Sequence, residues 1–552
     1  MLPGRKFGAE TAAALVGTAF SLVLLVSTAM YAGPLWRDET NSINMVQLAS
    51  LKELWGNLSF ESFPPFWLLI LRGFSWLGLT NGDAGIRMVG LYVGVCFLVS
   101  LWLCSRWMGG RAPTLSVALL GSLPVFIFIV GANRAYGLAS CLLVLSFGML
   151  WRIVENPSRW RVLGTGLIGI LFAQCVYYDV VFLGAMLVGA ALVVIRRRQW
   201  RTLGALVGIG AAAGASMAIY LPVIHRGSAY VPMNQEPSFS PLLLWYKFGD
   251  AVTAKSSARP STYDGPEVWL WVALLLVGAV VALMMQLKRK PQAPDRETRT
   301  IRNRSDLALY CIVSMVLGIV GFLAFLVKLR YLTQSWYYVE MLCLCTISLD
   351  GVLGATLPKL RPWGLLRIGL LVVMMSWCAR SGWEEAHTRR SNVDLLATIL
   401  DQKAKAGDLI VVQGAWEGIT FDRYYTGQAR WVTVPPITSH KVHRNDLAAE
   451  QMNKPDPMAP VLNEITDTLR GSNNVWTVGN LSVTRPEKLL PPSGLPVGQW
   501  VPHLNYWNAQ VTAQLRDHAV QEQVLEMSPA GPINRLENLP VLKFSGYKAD
   551  TN

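Results

Sequence analysis

Long apolar runs broken by short charged segments dominate the first 379 residues of the chain. A helix needs about 20 apolar residues to cross the hydrocarbon layer of a bilayer. Runs near that length fall at 12–31, 86–105, 114–131, 135–151, 162–178, 180–195, 202–222, 267–287, 307–327, 337–356 and 364–379. The pattern predicts a polytopic α-helical membrane protein with eleven crossings, within a range of about 11–13. After residue 380 charges and turn residues become frequent, and the hydrophobic pattern changes to short runs typical of a soluble domain.

The basic residues between the runs set the orientation. Arg106 and Arg111, then Arg152, Arg159 and Arg161, then Arg196, Arg197, Arg198 and Arg201, then the stretch 288–304, then Lys359 and Arg361 occupy every second loop. Lys and Arg concentrate in cytoplasmic loops, so these face the cytoplasm. The connections 32–85, 132–134, 179, 223–266 and 328–336 are then periplasmic, as is everything after Arg380. Arg5 and Lys6 ahead of the first run mark an uncleaved first helix of a bacterial inner-membrane protein.

One apolar stretch conflicts with this alternation. If 63–79 (FPPFWLLILRGFSWLGL) crossed fully, every later loop would change sides. Its opening Pro64-Pro65 and internal Arg72 predict an interfacial or re-entrant segment instead. Between the first run and this stretch, 41–55 carries Ile43, Val46, Leu48, Leu51 and Leu54 near helical spacing. That predicts an amphipathic helix lying on the outer surface or, equally, a loop helix packed on the bundle. The stretch 288–304, polar, basic and proline-containing, reads as a disordered linker.

In the tail, a helical pattern over 392–406 leads through Gly407 into the strand candidate 409–412. Further strands are expected at 430–434 and 474–478, with a helix at 461–469 between them. Alternating helix and strand predict a small open α/β layer. The expected division is a membrane domain over 1–379, including 32–85 as its first outer loop, and a periplasmic α/β domain over 380–552.

Composition agrees with a bilayer and narrows the function. Hydrophobic residues make up 52% and charged residues 15% of the 552 positions, and mean hydropathy is +0.35. The net charge of +14 is explained by the cytoplasmic loops, so nucleic acid is not an expected partner. All eight cysteines lie in or beside apolar runs, the last being Cys378, which excludes a disulfide framework or a cysteine metal site in the tail. No GxGxxG or GxxxxGK follows a strand candidate, so no nucleotide site is expected there.

Polar chemistry gathers at the outer ends of the runs. Asp38 and Glu39 follow directly after the first run. Adjacent acids at a helix end are often only capping or solvated groups. At the lip of an apolar bundle, however, desolvation and a like charge can tune a carboxylate for general-base work. Arg87 and Arg134 begin later spans on the same side, and Lys328 and Arg330 lie in another outer loop. Each alone fits snorkelling or a local ion pair. Together they resemble an anion clamp of the kind that guanidinium groups make around phosphate. Tyr136, Tyr177, Tyr178 with Asp179, Tyr331 and the run Trp336-Tyr337-Tyr338 accompany them. These fit an interfacial aromatic belt, and some of them a sugar-stacking groove.

The order of these residues resembles the GT-C class of membrane glycosyltransferases. Trp36-Arg37-Asp38-Glu39 comes first, then Glu61-Ser62-Phe63-Pro64-Pro65 opening an apolar segment, then Arg87, then Arg134-Ala135-Tyr136-Gly137-Leu138, then Arg330-Tyr331-Leu332. More narrowly the order is similar to the bacterial branch related to protein O-mannosyltransferases and to transferases that decorate lipid A with aminoarabinose or galacturonic acid. The resemblance covers roughly the first two-thirds of the chain by motif order and the tail by type only. Two positions depart from it: family members often carry His where this chain has Phe63, and His where it has Tyr177-Tyr178-Asp179.

The resemblance implies an inverting transfer of sugar from a polyprenyl-phosphate donor to an envelope glycolipid, glycan or protein at the periplasmic face. It implies Asp38, assisted by Glu39, as catalytic acid-base residue, and Arg330 and Arg134, with Lys328 and Arg87, around the donor phosphate. Tyr136, Tyr331, Tyr178 and Asp179 would line the substrate. No cofactor is required. A divalent cation on Asp38 and Glu39 is chemically feasible, but nearby cations can do the same work, so a metal-free site is expected. A lipid or glycan transporter or flippase is the alternative. Such proteins place ionisable groups near the bilayer midplane, whereas these spans carry charge mainly at one end.

Overall fold

The computed structural model describes residues 8–549 except 111, 237–238, 261–263, 288–295, 332, 357–360, 492–493, 495–497, 528 and 530. The chain divides into two compact units. The first comprises Met1–Tyr31, Ser62–Pro222 and Ser240–His387; the second comprises Ala32–Glu61, Val223–Phe239 and Thr388–Asn552. Residues 32–61, read from the sequence as a loop of the membrane domain, thus belong to the compact unit that holds the C-terminal region.

The first unit is a helical bundle. Among the described residues eight helices are long and apolar enough to cross a membrane, or nine if the bent pair Trp200–Ala218 and Leu221–Ser228 is one span. The expected eleven is corrected at two places. The run 114–131 folds as two seven-residue helices, Thr114–Leu120 and Pro124–Val130, because Pro124 cannot continue the preceding helix and starts a new one. Helix Arg159–Ala173 has 15 residues, which at 1.5 Å per residue is about 22 Å, short of the hydrocarbon thickness. The linker reading of 288–304 is corrected as well. Residues 288–295 lie outside the described set, while a helix runs over Arg296–Leu329.

Two spans form the centre of the bundle. Of the most apolar 18 residues of Ala135–Glu155 and Ser335–Gly354, 78% and 89% are buried, against 22% for Pro266–Leu287 and for Pro362–Ala386, which turn Trp269, Leu276, Val280, Leu365, Val372 and Trp377 outward. Close approach needs small residues, and at Gly90 a Cβ would collide with the Gly131 carbonyl oxygen. The charged ends are tied together as well. Arg197 Nε lies 2.8 Å from the buried Asp306 carboxylate, and Arg367 grips Glu10 through two hydrogen bonds of 2.6 and 2.9 Å.

The problematic stretch 63–79 contains an eleven-residue helix, Phe66–Trp76. At about 17 Å it is too short to cross. Trp67, Leu68 and Leu71 are fully buried along one side of it, and Trp67 Nε1 donates to the Asn133 carbonyl at 3.1 Å. The segment is therefore anchored beside the turn that precedes Ala135–Glu155.

The second unit is built on a five-stranded sheet with strands β1 (Leu409–Val412), β2 (Arg430–Thr433), β3 (Val475–Val478), β4 (Ala519–Leu525) and β5 (Val541–Tyr547) in the order β2-β1-β3-β5-β4. The first three strands are parallel, and β5 runs antiparallel to both β3 and β4. The strand period of two sends Leu409 and Val411 into one core with Val461, Ile465, Leu469, Trp507, Val511 and Leu515. Ile410 and Val412 enter the other with Val393, Leu396, Leu400 and Phe421. Helices therefore cover both faces, which is why β1 reads as an uninterrupted apolar LIVV. Val393, Leu396 and Leu400, spaced for one face of Val393–Lys403, are each fully buried, a gain of about 1.5–3 kcal/mol apiece.

The expected amphipathic helix over 41–55 is corrected to two shorter ones, Arg37–Val46 and Leu51–Asn57. The break comes where Ser50 begins the second helix, its hydroxyl accepting from the Glu53 amide at 3.1 Å. Arg37–Val46 does not lie on a surface. Glu39, Thr40, Asn41, Ser42, Ile43, Met45 and Val46 are all buried, and the helix packs on Glu417–Tyr424 of the same unit.

Candidate active site

In the first unit several of the sequence-predicted residues make aromatic and polar contacts. Arg134, the N-cap of Ala135–Glu155, is 3% exposed, and its guanidinium carbon lies 4.5 Å from the Phe63 ring centroid. Phe63 occupies the position where the resembled family often has His, and here it provides an aromatic floor for a cation. One residue into the helix, the Tyr136 ring meets Tyr337 at 6.0 Å between centroids, and Tyr337 also meets Tyr331 at 6.4 Å and Trp336 at 6.0 Å.

Tyr178 and Asp179 open another span, Asp179–Arg196. The Tyr178 hydroxyl sits 3.1 Å from Glu340 Oε2 and 3.3 Å from the Tyr337 carbonyl. Asp179 is fully buried and accepts from the Val176 amide at 3.0 Å, closing the turn before its own helix. Arg87 is also buried. Lys328 and Arg330 are exposed. Arg330 directly follows Arg296–Leu329 and ends it with φ of 51°, a left-handed conformation usually left to Gly or Asn. Holding an arginine there costs about 1 kcal/mol, a kind of strain that collects at functional positions.

In the second unit, Arg37–Val46 presents the acidic pair. The two acids point to different surroundings. Glu39 is fully buried and its Oε2 accepts from the Trp36 amide at 3.4 Å, so it closes the N-terminus of its own helix. The Asp38 side chain is 23% exposed, with Oδ1 3.7 Å from Arg37 Nε and 3.8 Å from His443 Nε2. Arg37 is itself held: its Nη1 donates to Glu417 at 2.8 Å, and its backbone amide donates to Glu537 Oε1 at 2.8 Å.

Glu537 is fully buried. Burial raises its pKa to about 8, against the pull of Arg37, so the carboxyl keeps its proton at neutral pH. Nearby, burial lowers the His440 pKa to about 4 and keeps that imidazole neutral. Sequence reasoning missed His443, Glu417 and Glu537. His443 sits in an irregular segment between Thr433 and Asn445, where no periodicity marks it. Glu417 and Glu537 gain significance only from their contacts with Arg37. Among the described residues no group of three or more His, Cys, Asp or Glu is placed to hold a metal ion.

No family model matches the chain, and no curated protein matches it. Solved structures do align with the chain. ArnT from Cupriavidus metallidurans bound to undecaprenyl phosphate is 14% identical, covers 97% of this chain and 98% of its own, and gives a TM-score of 0.41. The same protein in the apo state is 15% identical over 85% of this chain and 93% of its own, with a TM-score of 0.38. The apo oligosaccharyltransferase of Archaeoglobus fulgidus is 10% identical over 94% of this chain and 80% of its own, with a TM-score of 0.47. No residue role follows from likeness at this level.

Proposed function

We propose that this multi-pass protein is a glycosyltransferase of the GT-C class. It moves a sugar from a polyprenyl-phosphate donor to an envelope glycolipid, glycan or protein on the periplasmic side of the bacterial inner membrane. The observation that carries this reading is the grouping at Arg134: a buried guanidinium on the Phe63 ring, beside Tyr136, Tyr337 and Tyr331. A cation with aromatic faces next to it suits a phosphate followed by a sugar.

In this mechanism Arg134, with Arg87, Lys328 and Arg330, neutralises charge that collects on the departing phosphate. Asp38 takes the proton of the acceptor as its oxygen attacks the anomeric carbon from the face opposite the phosphate. Attack from that face inverts the anomeric configuration. Glu39 supports Asp38 by closing the helix that carries it. No step needs a metal ion.

The test is mass spectrometry of envelope lipids, glycans and proteins from cells carrying wild-type protein, no protein, or Asp38→Asn. The proposal expects one sugar-bearing product to vanish without the protein and to fall at least about 100-fold in Asp38→Asn, with the variant present in the membrane at normal level. Full product from Asp38→Asn would remove Asp38 from the mechanism. An unchanged envelope without the protein would overturn the transferase reading itself.

A further inference from the structure

The geometry points to His443 as the positioning residue of Asp38. Helix Arg37–Val46 addresses His443 twice from one face. Asp38 and Asn41 are three residues apart and therefore neighbours on the helix surface. The Asn41 side-chain carbonyl accepts from the His443 backbone amide at 2.9 Å, while Asp38 Oδ1 faces the His443 ring at 3.8 Å. Asn41 is itself fixed, its Nδ2 donating to Glu61 at 2.8 Å. On the other side the His443 ring meets the edge of Trp416, with centroids 5.6 Å apart. Backbone and ring are thus both located, with ring Nε2 3.8 Å from the carboxylate.

The remaining charges around the pair are ordered as well. Arg37 approaches the same Asp38 oxygen and is held by Glu417, and the adjacent Arg444 is paired with Asp446 at 2.6 Å. The imidazole and the guanidinium thus approach one and the same carboxylate oxygen, Asp38 Oδ1. The side chains of Asp38 and His443 are 23% and 19% exposed, so the pair stays open to a substrate. A separation of 3.8 Å is longer than a hydrogen bond and is of the kind that tightens when substrate arrives.

This role rests on the proposed function. In the transfer, the acceptor oxygen bonds to the anomeric carbon, and the carbon–oxygen bond to phosphate breaks with its electron pair left on phosphate. The acceptor proton passes to Asp38. His443 takes no proton from the substrate: its Nε2 turns the carboxylate toward the hydroxyl.

Two measurements separate the pairing from the mechanism. In the first, the full-length protein in detergent is treated with diethyl pyrocarbonate. Trypsin cleavage after Lys441 and Arg444 isolates the peptide Val442-His443-Arg444 from His440. The carboxylate lying beside the ring obstructs the reagent's approach, so His443 in Asp38→Ala should be modified several-fold faster than in wild type, with His503 unchanged. Equal rates would overturn the pairing.

In the second, product is measured in cells carrying His443→Ala or His443→Gln. Gln places an amide nitrogen near the position of Nε2, so His443→Ala should lose about 10-fold or more and His443→Gln should regain most of it. Added to Asp38→Asn, His443→Ala should cost nothing further. Equal losses in Ala and Gln, or full activity in both, would overturn the positioning role. Faster labelling in Asp38→Ala together with full product in Asp38→Asn would instead overturn the base assignment while leaving the pairing intact.

Discussion

Two arginines, one in each unit, show how differently a guanidinium can be used. Arg37 in the second unit is surrounded by acids: Glu417 at 2.8 Å, Asp38 at 3.7 Å, and Glu537 on its backbone amide. Its charge is spent on holding a helix end in place. Arg134 in the membrane unit rests on Phe63, a ring face that orients a cation. The membrane unit also sets aromatic faces beside its arginine, whereas the second unit sets titratable groups beside Asp38. On the proposed function, the contrast separates anion holding from proton handling along one chain.

The comparison breaks most visibly if Arg134 is removed. Arg134→Ala should reduce sugar transfer by about 100- to 1,000-fold, the usual cost of losing a group that stabilises a developing anion. The readout is the sugar-bearing product relative to protein in the membrane. A loss below about 5-fold would place Arg134 with the structural arginines.

The acid side of the comparison predicts a pH dependence of stability. Glu537 has a folded-state pKa of about 8 against an ordinary 4.5. The folded chain therefore keeps a proton that the unfolded chain releases as pH rises from 4.5. The associated stability is fully present below pH 4.5, declines through the window, and is gone once pH passes 8. The loss is on the order of a few kcal/mol. Glu537→Gln, which mimics the protonated acid, should flatten this slope. Hydrogen exchange of peptides from Thr388–Asn552 in the full-length protein, compared at pH 6 and pH 8, measures it, and equal slopes in both proteins would refute the assignment.

On the cation side, Phe63→Leu keeps an apolar side chain but removes the ring face. It should weaken transfer by about 3- to 10-fold, matching a cation–π contact of about 0.5–1 kcal/mol or somewhat more. The effect should vanish in an Arg134→Ala background. A loss that persists there would mean that Phe63 acts on packing alone.

What was legible in the sequence follows from how each signal is encoded. Apolar length placed most of the spans, because the bilayer imposes it residue by residue. It overcounted at 114–131 and 162–178, where hydropathy cannot tell a crossing from a buried, broken or short helix. Strands β1 to β3 were readable from apolar β-branched runs. Strands β4 and β5 were not. AVQEQVL lies on the exposed edge of the sheet and reads as polar, and VLKFSGY mixes the signals of its two neighbours. At the candidate site, Arg134 and Tyr136 were marked by their place at a span start. His443 was not, because its relation to Asp38 bridges some 400 residues of chain and exists only after folding.

The smallest predicted effect distinguishes neighbours in sequence. Asp38 and Glu39 read alike in the chain, yet Glu39 is buried and accepts from the Trp36 amide, while Asp38 reaches His443. Glu39→Gln preserves an oxygen that can accept from Trp36 and removes only a charge near the positive end of a helix, worth about 0.3–1 kcal/mol. Transfer should therefore stay within about 3-fold of wild type, with a slightly lower melting temperature. Glu39→Ala removes the acceptor as well and should cost about 1 kcal/mol of stability while still allowing chemistry. If Glu39→Gln instead lost as much transfer as Asp38→Asn, the two carboxylates would have to share the proton, and the division of labour between them would fail.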